Sequence, residues 1–292
     1  MRSLLFVPGD SSRKLERGLE SGADALILDL EDSVSIERKQ AAREMSREFL
    51  AAHADKAQRP RLVVRVNALD TGLTDDDLDA VIGARPDAIL LPKAEGGPSV
   101  THLDAKLAVR EARYGLSDGG IPIFALATET ASALFRGDTY AGASHRLKAI
   151  TWGAEDLSAA LGAETNRDAA GNFTAPYVFA RTLCLAIAAA AGVEAVDTVY
   201  VDFRDDAGFR RECEEARRDG FTAKLAIHPA QVPIINAVFT PSAEAIAHAQ
   251  AVVDAFAANP EAGVVAIAGA MVDKPHLRQA ERILARAGAE KR

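Results

Sequence analysis

Two apolar runs in this chain end in acid at the same point of their pattern. In IPIFALATET (residues 121–130) and AITWGAEDL (residues 149–157), a strand-like stretch gives way to small residues and then a carboxylate, Glu129 in the first and Asp156 in the second. A helix-compatible segment follows each. If the two strands are neighbours in a parallel sheet, both carboxylates emerge at the same end and face one mouth. Hard divalent cations such as Mg²⁺ take oxygen ligands, commonly one or two protein carboxylates completed by water and substrate. The two acids lie one βα unit apart, so a single Mg²⁺ within reach of both is the chemistry this pattern suggests. Taken singly, each has a structural use: Glu129 as a helix cap, Asp156 as a first-turn acid favoured by the helix dipole.

Positioning these acids requires a sheet, and the chain supplies eight candidate strands. They are SLLFVPG (3–9), ALILDLED (25–32), RLVVRVNAL (61–69), AILLPKAE (88–95), the two runs above, TVYVDF (198–203) and AKLAIHP (223–229). Each is nearly continuous in apolar residues, as strands buried on both faces should be. Helix-compatible stretches separate them, among them 11–21, the amphipathic SIERKQAAREMSREFLAAH and the acid-rich start TDDDLDAVIG. The sixth connection is the longest; it holds the polar loop ETNRDAAGN and an Ala-rich helix around 176–191, apolar nearly all round and expected to be buried. Eight strands alternating with helices predict a TIM (β/α)8 barrel over 1–239. An open doubly wound sheet is the competitor, but no GxGxxG follows the first strand. A barrel needs no more than eight units, so 240–292 is surplus. It reads as a C-terminal helical extension: one helix opened by Pro241-Ser242, a short strand or hairpin in GVVAIAGAMVD, and a last helix opened by Pro275. It is expected to pack on the barrel or on a neighbouring subunit.

TIM barrels build their sites at the C-terminal strand ends. The polar residues there are Asp29, Glu31, Asp32, Arg65, Asn67, Lys93, Glu95, Asp202 and His228, besides Glu129 and Asp156. Arg65 alternates with Val64 and Val66 in a buried pattern, where an unpaired guanidinium would be costly. Its planar fork suits a carboxylate, either a substrate's or a protein partner's. Glu31-Asp32 can act as an acid–base pair, orient waters around a metal, or pair with Lys93; the second use is preferred. A Schiff-base lysine needs an apolar or cationic site to lower its pKa, and the acidic surroundings of Lys93 do the opposite. His228, ahead of Pro229, reads as a packing or hydrogen-bonding residue.

The chain has 292 residues, 48% of them apolar, which is enough for a sizeable core. Its net charge of −8, from 34 basic and 42 acidic residues, argues against a general nucleic-acid binder. Cys184 and Cys213 lack a CxxC or disulfide framework and suit a reducing compartment. No signal peptide or membrane-length apolar run is present, so a soluble, cytoplasmic protein is expected.

RSLLFVPGD, ALILDLEDSV, RVNAL, ILLPKAE, the Glu of ATET, WGAEDLSAALG, DTVYVDFRD, KLAIHPAQV and AGAMVDKPH occur in this order across essentially the whole chain. Each motif alone is weak, but the series resembles the citrate lyase beta-subunit and malyl-CoA lyase-like family. The resemblance implies a TIM barrel, Mg²⁺, a CoA thioester or 2-oxo acid substrate, and lyase chemistry on a C–C bond. It makes Glu129 and Asp156 the Mg²⁺ ligands, with Glu129 also beside the substrate, and Arg65 the contact to the substrate carboxylate. It puts Glu31-Asp32 near the waters of the metal, and Arg2, Arg13 and Lys14 near the CoA phosphates. Asp273 matches a catalytic acid supplied by a neighbouring subunit, which implies a homo-oligomer, a trimer or hexamer. A multi-subunit citrate lyase would act on a thioester of an acyl carrier protein instead, and a thioesterase could use the same scaffold. Two departures stand out: Ala223 in GFTAK and Ala270 in GAMVD replace the glycine and lysine expected there, which points to a changed wall on the thioester side.

Overall fold

Eight parallel strands pair in sequence order and close into a barrel in the computed structural model, which describes residues 1–267 and 269–289. The barrel elements run β1 (Ser3–Pro8), α1 (Ser12–Leu19), β2 (Ala25–Asp29), α2 (Lys39–His53), β3 (Arg61–Arg65), α3 (Thr74–Val81), β4 (Ala88–Leu91) and α4 (Gly97–Tyr114). They continue with β5 (Ile123–Leu126), β6 (Leu147–Thr151), α5 (Ala154–Leu161), α6 (Ala175–Ala191), β7 (Glu194–Asp197), α7 (Asp206–Asp219), β8 (Ala223–Ala226) and α8 (Gln231–Phe239). Closure is made by β1 and β8, with Leu4 opposite Leu225. Alternate strand residues fill the interior: Leu4, Ala25, Ile27, Val63, Leu90, Phe124, Leu126, Ala149, Val196 and Leu225 form one buried cluster. The residues between them, such as Leu26, Leu28, Val64 and Ile89, are fully buried as well because helices cover the outer face. That double burial is why the strands read as unbroken apolar runs.

Two compact units divide the chain, Met1–Asn236 and Ala237–Arg292. The second contains α9 (Ala243–Ala258), β9 (Val264–Ile267), β10 (Ala270–Asp273) and α10 (Lys274–Ala289). Within GVVAIAGAMVD, β9 and β10 pair antiparallel, with Asp273 opposite Val264. Ala249, Val252, Phe256, Val265, Val272 and Ala280 give this unit a small core of its own. Ser242 caps α9, its hydroxyl accepting from the Ala245 N–H at 3.1 Å.

Three expectations need correction. The seventh strand is Glu194–Asp197, not 198–203, and TVYVDF runs on beyond it as a loop with Val201 and Phe203 exposed. Asp197, a residue that looks like a turn acid, is fully buried because Lys224 and Arg181 neutralise it from β8 and α6. No α-helix follows β5; two 3-10 turns, Ala133–Phe135 and Gly137–Thr139, replace it. Gly137 packs so closely there that a Cβ would lie 2.9 Å from Ile187 of α6, so a thicker helix has no room. Finally, α6 is buried along one face through Tyr177, Ala180, Cys184, Ile187 and Ala188, while Val178 and Phe179 on its other side are exposed.

Candidate active site

The C-terminal ends of β2 to β6 bring together most of the acids singled out from sequence. Asp29 ends β2 on the inward face and Arg65 ends β3 opposite it. Arg65 Nε and Nη2 donate to the two Asp29 oxygens at 2.7 Å each, and the guanidinium also lies over the Phe6 ring, 4.7 Å from its centroid. Asp29 is therefore the protein partner the buried arginine requires. Burial alone would raise the Asp29 carboxyl, but the Arg65 guanidinium more than offsets it and holds it below its usual range. Arg65 Nη1 stands 2.9 Å from Glu31 Oε2, an oxygen that accepts no well-aligned hydrogen bond. A guanidinium has five N–H donors, so the Asp29 fork leaves the Nη1 side able to meet a further anion.

Lys93 follows β4 in the left-handed region, φ +50°, a conformation rare for a residue with a side chain. Its backbone N–H donates to Glu129 Oε2 at 2.6 Å. Its ammonium pairs with Glu31 and sits 3.2 Å from both Asp32 and Asp156. These acids hold the ammonium well above its ordinary pKa despite partial burial, which removes a Schiff-base role. Glu31 is raised, chiefly by burial.

Glu129 stands on the segment leaving β5, enclosed on all sides. Burial first, and then the charge of Asp156, push its carboxyl up to about 8. Gly153, between β6 and α5, makes room for it: a Cβ there would meet Glu129 Oε1 at 2.7 Å. Asp156 lies in the first turn of α5 with its side chain partly open to solvent. The structural use of Asp156 and the metal use coexist, because a first-turn acid faces the mouth when its helix starts there.

A divalent cation fits this donor set. Both carboxylates meet Lys93, Glu129 at its main-chain N–H and Asp156 at its ammonium, and burial raises Glu129. The buried hydroxyls of Thr128, next to Glu129, and Thr151, at the end of β6, have no protein hydrogen-bond partner. Among the described residues no group of three or more His, Cys, Asp or Glu side chains is arranged to hold a metal. Glu129 and Asp156 would thus be its protein ligands, with water and substrate completing the shell, as suits Mg²⁺. Thr128 and Thr151 escape a reading that lists only charged residues. Their signal is the strand period: Thr128 is two residues beyond inward Leu126, and Thr151 is paired with Leu126 across β5 and β6.

Other candidates are placed as follows. Arg13 and Lys14 are exposed in the first turn of α1, which starts at the mouth end of β1. Arg2 does not join them. It sits ahead of β1 at the opposite, N-terminal rim, where Asp24 binds it with Nε at 3.0 Å and Nη2 at 2.8 Å. A residue preceding a strand cannot reach the end that the strand leads to, so Arg2 is not a CoA-phosphate contact at this mouth. Ala223 is likewise the first residue of β8, 1% exposed in the barrel interior, and forms no part of a thioester wall at the strand ends. Asp202 lies in the loop after β7 rather than at a strand end and accepts the Arg204 N–H at 3.1 Å. His228 stacks on Phe203 with ring centroids 4.6 Å apart, as a packing residue would. Ala270 is exposed on β10, and Asp273 ends that strand, its Oδ1 2.5 Å from His276 Nδ1.

A closed parallel eight-stranded barrel with carboxylates gathered at the C-terminal strand ends defines a TIM-barrel enzyme scaffold. The sequence profile of the HpcH/HpaI aldolase/citrate lyase family matches residues 2–229, and the chain belongs to that family. It is 35% identical to citrate lyase subunit beta of Escherichia coli K12 over 288 residues, 98% of this chain and 93% of the relative. It is 37% identical to a (3S)-malyl-CoA thioesterase of Cereibacter sphaeroides over 290 residues, 99% of this chain and 95% of the relative. Among solved structures, the CitE protein of Mycobacterium tuberculosis in complex with magnesium, acetoacetate and coenzyme A superimposes with a TM-score of 0.77 at 34% identity, covering 98% of both chains. A citrate lyase beta subunit from the same organism, complexed with oxaloacetate and magnesium, gives a TM-score of 0.70 at 32% identity over 82% of this chain and 96% of that one.

Proposed function

We propose that this chain is a Mg²⁺-dependent lyase that cleaves, or forms, the C–C bond of a 3-hydroxyacyl thioester of malyl-, citramalyl- or citryl-type, giving a 2-oxo acid and acetyl-CoA. The observation that carries the reading is that Glu129 and Asp156 meet at Lys93 on one mouth, Glu129 accepting its main-chain N–H at 2.6 Å and Asp156 lying 3.2 Å from its ammonium, with burial and Asp156 raising the Glu129 carboxyl. The Mycobacterium tuberculosis relatives bind magnesium with oxaloacetate or with acetoacetate and coenzyme A, which supports the same ion and ligand class here. When bound, Mg²⁺ would polarise the hydroxyl and carboxylate oxygens of the substrate. Arg65, kept in register by Asp29, offers its Nη1 side to the substrate carboxylate and to charge developing on the keto oxygen. The Thr128 and Thr151 hydroxyls can donate to the same oxygens. Glu31 and Asp32 orient waters at the mouth, and Arg13 and Lys14 stand where CoA phosphates would pass. In cleavage the hydroxyl proton passes to a water at the mouth, the C–C bond breaks with its electron pair going to the thioester side, and the resulting enolate carbon takes a proton. Asp273 of a neighbouring subunit supplies that proton, and in the forming direction its carboxylate removes it. The hydrogen bond with His276 lowers the Asp273 carboxyl from its ordinary value in the free chain.

A second reading has one specific support, the malyl-CoA thioesterase relatives at 37% identity. Hydrolysis would use the same mouth but attack the thioester carbonyl. Malyl-, citramalyl- and citryl-CoA, each incubated with the protein and Mg²⁺ and resolved by mass spectrometry, separate the two. A lyase yields a 2-oxo acid and acetyl-CoA; free CoA with no 2-oxo acid establishes the thioesterase. Turnover of a carrier-protein thioester in preference to the CoA ester would mark a subunit of a citrate lyase complex.

A further inference from the structure

The ammonium of Lys93 stands where a cation is wanted. Glu31, Asp32 and Asp156 surround it, Asp156 at 3.2 Å being one of the two carboxylates assigned above to the metal. The backbone of the same residue grips the other carboxylate, its N–H donating to Glu129 Oε2 at 2.6 Å. The left-handed φ of +50° is what lets one residue do both, because the turn aims the N–H at β5 and sends the side chain back over the mouth. Such a conformation persists in a residue with a Cβ only when its surroundings hold it, and here both ends are held.

From this geometry, and resting on the metal reading given above, we infer that Lys93 is a built-in counter-cation that competes with the divalent ion for Asp156. Without metal, the ammonium balances the acids that would otherwise repel one another across the mouth. A divalent ion held by Asp156 would draw on the lone pairs that face the ammonium. It also places two further positive charges close to it, where Coulomb repulsion in a partly enclosed site is strong. The ammonium then withdraws towards Glu31 and Asp32. Asp32 can follow it, since its side chain is 56% exposed, whereas Glu31 is fixed by burial. Lys93 thereby sets metal affinity by occupying the site in the metal's absence, while its main-chain N–H, which any side chain retains, continues to orient Glu129.

Lys93→Met separates the two contributions, because it deletes the charge and keeps the N–H. Mg²⁺ binding to the full chain, measured by titration calorimetry, should become about tenfold tighter than in the wild type, the scale of one partly screened charge coupling. The thermal midpoint in chelator should fall and recover when Mg²⁺ is added. Unchanged or weaker Mg²⁺ binding by Lys93→Met, beside clear binding by the wild type, overturns the competition alone. Absence of Mg²⁺ binding by the wild type overturns the metal reading and this inference with it. If Lys93→Met does not fold, the wild type carries the test through the rate of reductive methylation of its lysines, followed by mass spectrometry. Saturating Mg²⁺ should speed labelling of Lys93 severalfold and leave exposed Lys148 unchanged. Equal Lys93 rates with and without Mg²⁺ would refute the competition.

Discussion

Glu129 and Arg65 carry opposite electrostatic problems at neighbouring strand ends. Glu129 is a carboxyl raised from its ordinary 4.5 up to about 8 by burial and by Asp156. The folded chain therefore keeps a proton between those values that the unfolded chain has already lost. Stability in chelator should fall as pH rises through this window, by about 1.4 kcal/mol per unit, and level off above it. Glu129→Gln should remove that slope and abolish high-affinity Mg²⁺ binding. Urea denaturation of both proteins from pH 5 to 9, without metal, checks it; parallel profiles would show that Glu129 ionises freely. Arg65 differs because its charge is already balanced. Removing one partner of a buried pair costs about 3–5 kcal/mol, so Arg65→Ala should lose that much stability through stranded Asp29. Arg65→Lys keeps the charge but cannot reproduce the two 2.7 Å contacts, so its loss should be smaller in stability than in kcat/KM measured well below the unfolding transition. Equal fractional losses in both would reduce Arg65 to an internal tie.

The elements around the mouth show which parts of the design a sequence displays. Strands buried on both faces announce themselves: β1 to β5 and β8 lie within the apolar runs that predict them, and β6 begins two residues ahead of its run, at Leu147. Glu129, Asp156, Arg65 and Lys93 are legible for the same reason, since a charge closing such a run is conspicuous. β7 is hidden because its end is charged and its compensation is distant. Asp197 is balanced by Arg181 of α6 and Lys224 of β8, and Lys224 reaches on to Glu212 of α7 at 2.9 Å. Arg167, in the loop between α5 and α6, binds Glu212 at 2.8 Å and lies 3.8 Å from the Phe173 ring centroid. Trp152 Nε1 donates to Asp197 at 2.9 Å, which links this network to the β6 end that carries Gly153 and Asp156. None of these pairings has a local pattern. The network should behave as a unit: Lys224→Met should cost about 3–5 kcal/mol by leaving Asp197 and Glu212 short of a cation. Adding Glu212→Gln should then cost clearly less than it does in the wild-type background. A double-mutant cycle by urea denaturation measures the coupling, and strict additivity would show that Lys224 and Glu212 are energetically independent.

At the scale of the molecule, the question is what the second compact unit contributes, since the barrel closes without it. Among the described residues no helix is long and apolar enough to cross a membrane. The unit has its own core and ends strand β10 in Asp273, whose carboxylate is half exposed beside His276. A helix cap would explain an acid there, because Asp273 immediately precedes α10. Catalysis in trans predicts more: a barrel lacking its own metal ligand and a chain lacking Asp273 can each repair the other. Glu129→Gln is a better partner for this test than an Arg65 variant, since the neutral amide suits a carboxyl already held uncharged, whereas losing Arg65 strands Asp29. If Asp273→Ala and Glu129→Gln chains are unfolded together in equal amounts and refolded into cyclic oligomers, about a quarter of the mouths should combine an intact barrel with an intact neighbour. Activity should rise towards that fraction of the wild type from two nearly inactive parents. Mixed oligomers, verified by native mass spectrometry, that stay inactive would confine Asp273 to its own chain. Full activity of Asp273→Ala alone would leave it as the cap of α10.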